Sequence, residues 1–381
     1  MEQEPAASIA GHFADLEDPR VDRTKRHKLL DIMVIAICAI ICGADDWVAA
    51  ESFGKAKFEW LKRFLELPNG IPSHDTFGRV FAQLDSEQFE RCFLQWIAAV
   101  SDITAGQVVA IDGKAVRRSY DRGIGKDAIS MVSAWAAANE LVLGQVKVDD
   151  KSNEITAIPA LLQVLEISDC IVTIDAMGCQ TEIAKTIVGQ GADYVLALKE
   201  NQPHLHEDVK LLFDDLESSR YQAYSYQYAY SVDKNHGRRE KRTCWVISDP
   251  DVLRFLRGAT EWVNLGSVVK IQAKRSVGEQ ESVENRYYIS SLTGDAQRLL
   301  GATRTHWTIE NSLHWILDIA FREDECRVRK DHGPQNLAIL RHIAVNLLKQ
   351  EKTAKMGINN KRLRAGWDEA YLRKVLAGLF Q

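Results

Sequence analysis

The first hundred residues carry apolar positions at the spacing of amphipathic helices. Between residues 49 and 67 the large apolar side chains recur at helical intervals, at Phe53, Phe58, Leu61, Phe64 and Leu65,. Residues 86–100 show the same periodicity. Ser73 or Asp75 follows a turn rich in Pro and Gly and can cap the next helix,. The pattern therefore predicts an all-α domain of about four helices within residues 1–104.

The pattern changes after residue 104. From residue 107 to residue 199, short apolar runs and segments of helical period follow one another in the order β-β-β-α-β-α-β,. The continuous apolar character of residues 170–178 is typical of a strand that is buried on both faces,. This order predicts an α/β sheet layered with helices.

A second group of strands is predicted after a helix at residues 203–216. Aromatic residues alternate along residues 221–232, and strand-like runs follow at 239–247, 262–277 and 284–292,. Because helical spacing returns from residue 295 onward, we interpret the region from about 218 to 293 as a β-rich insertion. The predicted fold class is therefore α/β, with an N-terminal all-α domain.

The most apolar run of the chain is too short to cross a membrane. Residues 32–44 are apolar over 13 positions, whereas a membrane span needs about 20, so the run predicts a buried helix,. The N-terminal residues MEQEPAAS lack the apolar core of a signal peptide,. The seven cysteines form no C-x-x-C pair, which favours a reducing cytoplasm over a disulfide framework or a zinc site,.

The charge is distributed unevenly along the chain. The formal net charge of −5 gives no reason by itself to expect a nucleic-acid partner. Residues 301–381, however, hold 14 Lys and Arg against 9 Asp and Glu, and basic clusters occur at 20–28, 234–242 and 327–330. Each cluster would be a solvated face in most proteins, and each could also contact phosphate groups.

Two aspartates lie where α/β sheets collect ligands. Asp112 ends the run VVAID and Asp175 ends the run CIVTID, so both are expected at the carboxyl end of a strand,. A third acid, Glu310, lies on a predicted helix with His314 one turn further on. Carboxylates can hold hard cations such as Mg²⁺, and two ions about 3.5–4 Å apart can clamp both oxygens of a reacting phosphodiester.

Each of these acids also has an ordinary structural explanation. A strand-end aspartate is often a helix cap or a turn former, and a helical glutamate is often solvated or ion-paired. Glu323 and Asp324, which follow Glu310, are interpreted as structural or supporting acids. Only the three acids together, in this order and on these elements, favour a metal site.

Several motifs occur in order along the chain: IDGK at 111–114, DAMGCQ at 175–180, YVLALKENQ at 194–202, HGRRE at 236–240 and HWTIENSLHWILDIAFRED at 306–324. Over about residues 10–375 the chain resembles a group of bacterial insertion-sequence transposases that includes the H-repeat-associated proteins of Rhs elements. The resemblance implies a DDE transposase with a ribonuclease H-like catalytic domain at 105–381. Its triad would be Asp112, Asp175 and Glu310.

The resemblance also implies a chemistry and partners. Two Mg²⁺ ions, replaceable by Mn²⁺, would bind the triad, with Asp112 between them. The protein would bind the terminal inverted repeats of its element, hydrolyse a phosphodiester and join the exposed 3′-hydroxyl to target DNA. Two element ends imply a homodimer in the complex with double-stranded DNA. The expected location is the bacterial cytoplasm, at the nucleoid when the protein is bound to DNA.

One signature of the wider superfamily is absent. A Tyr, an Arg and a Lys often surround the catalytic Glu, and this chain has Thr303, His306 and Leu317 at those positions. The expected DNA contacts are instead Lys114, Lys199, Arg238, Arg239, Arg304, His306, Trp307, Arg327, Arg329 and Lys330. The indole of Trp307 could stack on a base, although core packing would also explain it. His236 and Gly237 predict a turn that presents the two arginines after it.

Three other functions fit the same residues. A structure-selective nuclease of the same fold would cleave DNA without joining it. A DNA-binding protein descended from a transposase would have lost catalysis, although all three acids are present here. A carboxylate hydrolase such as a glycosidase would use two acids and no metal. No Walker loop is present, so ATP dependence is not expected,.

Overall fold

The N-terminal part of the chain is helical. The computed structural model describes residues 9–13, 16–101, 105–120, 123, 125, 127–148, 152–235 and 238–377. The helices before the first strand are α1 (Ile9–His12), α2 (Leu29–Ile41), α3 (Trp47–Ala56), α4 (Phe58–Leu61), α5 (His74–Gln83) and α6 (Ser86–Val100). The side chains of Asp46, Ser73 and Asp85 accept backbone N–H bonds at the starts of α3, α5 and α6,. The predicted cap at Ser73 is confirmed.

The apolar run forms a buried helix, as predicted. In α2 every residue from Asp31 to Ile41 is buried. In the part of the chain that the structure describes, no helix has both the length and the apolar character needed to span a membrane.

A mixed sheet of nine strands forms the centre of the molecule. Its strands are β1 (Val108–Ala115), β2 (Ser130–Ala136), β3 (Leu141–Lys147), β4 (Ile171–Ile174), β5 (Asp193–Leu198), β6 (Gln227–Asn235), β7 (Arg238–Ile247), β8 (Ser267–Val277) and β9 (Gln280–Ser290). The spatial order is β3-β2-β1-β4-β5-β9-β8-β7-β6. β1, β4 and β5 run parallel, and the other neighbours are antiparallel.

The order of elements between residues 107 and 199 is the predicted one. The remaining helices are α7 (Glu154–Gln163), α8 (Thr181–Gly189), α9 (Pro203–Ser218), α10 (Pro250–Leu253), α11 (Ala296–His306), α12 (Trp315–Ile319), α13 (Gly333–Gln350), α14 (Ile358–Trp367) and α15 (Glu369–Val375). The predicted β-rich segment forms β6 to β9. These strands do not make a separate sheet, because β9 pairs with β5 and extends the central one.

The sheet carries helices on both faces. Ile171 and Val195 lie under α11 in one apolar cluster, whereas the next residues along the same strands, Val172 and Leu196, face the main core,. That core also contains α2 and the long buried helix α13, which packs on α2, α5, α6 and β3. The N-terminal helices and the sheet thus share one continuous core.

Candidate active site

Two carboxylates leave the sheet at the same edge. β1 and β4 are parallel neighbours, and Ile111 is paired with Ile174. Asp112 and Asp175 come directly after these paired residues, so they project from adjacent strand positions. Asp112 Oδ1 accepts a bond from the N–H of Gly113 at 2.9 Å. Asp175 Oδ1 accepts from the N–H groups of Met177 and Gly178 at 3.1 and 3.3 Å, so Asp175 does form the turn that its position allows.

The surroundings of Asp112 disfavour its ionised form. Burial raises its pKa, and the negative charge of Asp175 raises it further, to about 7. The carboxylates of Glu154 and Glu310 act in the same direction. No Lys or Arg forms an ion pair with Asp112, Asp175 or Glu310 in the described ranges. The site therefore concentrates negative charge that the protein itself does not neutralise.

The third acid comes from an irregular stretch of helix. Residues Glu310–His314 form a π-helical turn between α11 and α12, an arrangement that is frequent at functional sites. His314 Nδ1 lies 3.2 Å from Glu310 Oε2 and 3.6 Å from Asp112 Oδ2. One ligand atom each of Asp112, Glu310 and His314 fall within 4.8 Å of one another. These three side chains could hold one metal ion.

His314 was not predicted as a ligand. It is 4% exposed, and burial lowers its pKa, which leaves a neutral imidazole with a lone pair for a metal,. Its Nε2 atom is buried and has no hydrogen-bond partner among the described residues. The four-residue spacing from Glu310 was the available signal in the sequence, because it places both side chains on one helical face.

Glu154 is a fourth acid that the sequence did not single out. It is the first residue of α7, and a Cβ atom built on Gly113 would lie only 2.0 Å from its Oε1 atom. The Glu154 carboxylate therefore lies directly over the backbone next to Asp112. Burial raises the pKa of Glu154, and the charge of Asp175 adds to the effect. No local motif marks this residue, because the fold of β1, β2 and β3 brings it here.

The three predicted acids line a cleft of about 870 Å³. Of the expected DNA contacts, Lys199, His306 and Trp307 line the same cleft. Lys199 is exposed and Trp307 is 46% exposed, whereas His306 is largely buried and lies 3.1 Å from Thr173 Oγ1 through its Nδ1 atom. Burial also lowers the pKa of His306.

Lys114 has a different environment from the one expected. Its Nζ atom lies 2.7 Å from Asp318, 2.9 Å from Glu323 and 3.6 Å from Asp324. Glu323 is itself buried and pairs with Arg341 at 3.3 Å. The lysine thus ties β1 to the segment after α12 and is engaged by three carboxylates.

A second groove extends from the cleft along strands β7, β8 and β9. It has a volume of about 380 Å³ and is lined by Arg238, Arg242, Arg275, Arg286 and Arg304. Arg286 and Trp307 line both the groove and the cleft, and the guanidinium of Arg286 lies 4.4 Å from the centre of the Trp307 ring. Arg304 Nη2 pairs with Asp233 at 2.8 Å. We call this feature the arginine groove.

The other expected DNA contacts lie elsewhere. Arg239 projects from the opposite face of β7 to Arg238, because neighbouring strand residues alternate,. Arg327, Arg329 and Lys330 line a separate groove of about 900 Å³ next to α3 and α5. The predicted turn at His236 and Gly237 lies outside the described residues. The ten expected contacts therefore do not form one continuous surface.

Comparison with known proteins places the chain in a family. The family described as "Transposase DDE domain" matches residues 103–347, and the one described as "DDE_Tnp_1-associated" matches residues 10–97. "Putative transposase YncI" of Escherichia coli O157:H7 is 40% identical over 97% of this chain and 94% of that protein. "H repeat-associated putative transposase YhhI" of Escherichia coli strain K12 is 39% identical over 96% and 97%.

The chain belongs to the transposase DDE domain family. This confirms the resemblance that the sequence motifs indicate. Among solved structures, a piggyBac transposase synaptic complex with hairpin DNA is similar at 12% identity and a TM-score of 0.45, over 97% of this chain and 76% of that one.

Proposed function

We propose that this protein is a DNA transposase that binds the ends of an insertion sequence, cleaves them and joins them to target DNA. Asp112, Asp175 and Glu310 would be its catalytic acids, and β1 to β5 its ribonuclease H-like core. The observation that carries the proposal is the convergence of Asp112 and Asp175, at the ends of adjacent parallel strands, with Glu310 from a helix. Membership of the transposase family supports it.

The donor set fits a divalent cation. Carboxylate oxygens are the preferred ligands of Mg²⁺, and a neutral imidazole nitrogen is also a ligand for Mn²⁺. The raised pKa of Asp112 reflects its burial and, after that, the negative charges of the acids around it, which a bound cation would offset. We infer that Asp112, Asp175 and Glu310 hold Mg²⁺ or Mn²⁺. Such ions make water a stronger nucleophile and offset charge on the reacting phosphate.

The remaining residues of the cleft would position the DNA. The exposed lysine Lys199 is available to a phosphate group, and Trp307, held by Arg286, offers an exposed ring to a base near the cleavage site,. The arginine groove continues from the cleft and would follow the phosphate backbone,. Because an element has two ends, a homodimer would place one such site on each end.

The proposal is tested with purified protein and a labelled duplex that carries an element end. We expect cleavage with Mg²⁺ or Mn²⁺, none with chelator, and none in Asp112→Asn or Glu310→Gln. Glu182→Gln is the matched control, since Glu182 is an exposed acid on α8 whose carboxylate pairs with the exposed Lys185. This control variant should cleave like the wild type.

Joining of the cleaved end to a second duplex would establish strand transfer. Cleavage without joining would show that the protein acts as a nuclease and not as a transposase. Binding of the element end without cleavage, with any of the metals tested, would show a DNA-binding protein that has lost catalysis. Cleavage that survives chelation would reject the metal-carboxylate site itself.

A further inference from the structure

One face of strands β6 and β7 carries a cluster of aromatic side chains at the surface. Alternation along the strands places Tyr228 and Tyr230 on the same face as Trp245,. The ring centres of Tyr228 and Tyr230 are 6.1 Å apart, and that of Tyr228 is 5.8 Å from Trp245. Tyr221 stacks on Trp245 at 6.2 Å and contacts Tyr226 at 5.7 Å. We call these five residues the aromatic face.

Four of the five rings in the aromatic face are exposed, although Trp245 belongs to the main core. Tyr228 and Tyr230 are 48% and 57% exposed, and only Trp245 is buried among the five rings. The alternate residues of the same strands, such as Ala229 and Cys244, are the ones buried under α11. Four tyrosines side by side in solvent are not explained by folding, because their exposed area contributes little hydrophobic stabilisation.

The same face is positively charged. Lys241 Nζ lies 5.3 Å from the centre of the Tyr230 ring. The strand register places Lys234, Arg239 and Lys274 on this face as well. Lys274 is neutralised by Glu281 at 2.8 Å. Lys234, Arg239 and Lys241 form no ion pair with any residue that the structure describes, so three cations remain on the same face as the exposed rings.

We propose that the aromatic face binds an unpaired stretch of DNA. Bases can stack on exposed rings of a sheet, and nearby cations can pair with the phosphate groups between those bases. A paired duplex hides the flat faces of its bases, so the rings favour a single strand. β6 is the edge strand of the sheet, and Tyr228 and Tyr230 remain exposed on it.

This surface is distinct from the catalytic one. Arg238 and Arg242 of the arginine groove alternate with Arg239 and Lys241 along β7, so the two sets lie on opposite faces of the strands,. The proposal therefore does not depend on the acids of the cleft, and its failure would leave the proposed catalysis untouched.

The test measures the anisotropy of a labelled oligothymidine of about 20 nucleotides, longer than the roughly 4–16 that one such surface contacts. The full chain is used with chelator, so that no cleavage interferes. We expect Tyr228→Ala with Tyr230→Ala to weaken binding at least about tenfold, because the change removes two rings on which bases would stack. The double Phe variant should bind like the wild type, because it keeps both rings.

Two controls separate stacking from other roles. Phe255→Ala removes a ring that is 84% exposed after α10, outside the aromatic face, and should leave binding unchanged. Lys241→Gln should lower the dependence of log affinity on log salt by about 0.7, the value for one phosphate contact on a single strand. Asp112→Asn should bind the oligonucleotide like the wild type even though it cannot cleave.

Three results would overturn the proposal. Tyrosine variants that bind the oligonucleotide as well as the Phe255 variant would show that the face makes no contact with it. Equal affinity of Tyr228→Leu with Tyr230→Leu and of Tyr228→Phe with Tyr230→Phe for the oligonucleotide would exclude stacking. Loss of a dimer in the alanine variants, measured by light scattering with oligonucleotide affinity unchanged, would show that the face binds a second copy of the chain.

Discussion

Strand β1 contributes one residue to each of two neighbouring clusters of acidic side chains. The clusters differ in whether Lys and Arg side chains pair with their acids. Asp112 belongs to the cleft, where Asp175, Glu154 and Glu310 surround it without a Lys or Arg partner among the described residues. Lys114, two residues later, belongs to an ion-pair network with Asp318, Glu323, Asp324 and Arg341. The protein therefore neutralises one set of acids internally and leaves the other set without counter-charge.

The pKa values show the consequence of this difference. Burial raises the pKa of Asp112, and its acidic neighbours raise it further, to about 7. Burial also opposes the ionisation of Glu323, but the charges of Arg341 and Lys114 outweigh it and hold the pKa of Glu323 below its usual range. An acid that lacks an internal cation is suited to an external one, which is the logic of a metal site.

The largest effect is expected from Asp112→Asn. Loss of the ligand should slow metal-dependent cleavage by at least about 10³-fold, or about 4 kcal/mol of barrier. The folded-state pKa of Asp112 is raised, so its contribution to stability falls as pH rises from the unfolded value of about 4 to about 7,. The metal-free variant should therefore be at least as stable as the wild type at pH 8 in urea unfolding.

Metal provides the complementary measurement. Mn²⁺ should raise the Tm of the wild type and have a smaller effect on Asp112→Asn, because a ligand that binds only the folded state stabilises it. A variant destabilised by several kcal/mol without metal would show that Asp112 is a structural residue instead.

The second largest effect is expected in the ion-pair network around Glu323. Glu323→Gln would leave the buried charge of Arg341 without its counter-ion and should lower the free energy of unfolding by about 3–5 kcal/mol,. Glu325→Gln, two residues away, changes an exposed acid that pairs with Arg322 and should cost less than about 1 kcal/mol,. Equal costs for the two variants, measured by urea unfolding, would contradict the distinction between the clusters.

Part of the fold and part of the site could be predicted from the sequence alone. The order of elements from β1 to β5 follows from local periodicity, and the proximity of Asp112 and Asp175 follows from two parallel strands that end at one edge. Both could be predicted because hydrophobic period and strand ends are local properties of the chain. The cap at Ser73 and the buried helix α2 belong to the same class of local prediction.

The missing parts of the site depend on distant contacts. Lys114 and Glu323 are separated by 209 residues in the sequence. No local sequence pattern distinguishes a lysine that forms a buried ion pair from a lysine that is available to bind DNA. Glu154 reaches the site only because β1, β2 and β3 fold back on one another. The pairing of β9 with β5 likewise joins strands whose partners the periodicity of each strand alone does not specify.

Lys114 offers a third prediction, of intermediate size. Lys114→Met would remove one cation from Glu323, take the lysine from Asp318 and leave Asp324 paired with Arg117 alone, so we expect a loss of about 2 kcal/mol in the free energy of unfolding,. Lys114→Arg should recover part of this loss. Neither variant should change the salt dependence of duplex binding. A lower salt dependence of duplex binding in Lys114→Met would instead support the DNA contact that the sequence predicts for Lys114.

The smallest effect on stability is expected from Arg304, at the surface of the arginine groove. Its pair with Asp233 is half-exposed, and Arg242 also bonds Asp233 at 2.7 Å, so Arg304→Gln should change the free energy of unfolding by less than about 1 kcal/mol,. Duplex binding should nevertheless lose about 0.9 from its log–log salt slope, the value for one phosphate contact. Arg254→Gln is the matched control, because Arg254 is an exposed arginine paired with Asp251 outside the groove. Equal slopes for the two variants would show that the groove does not follow the duplex backbone.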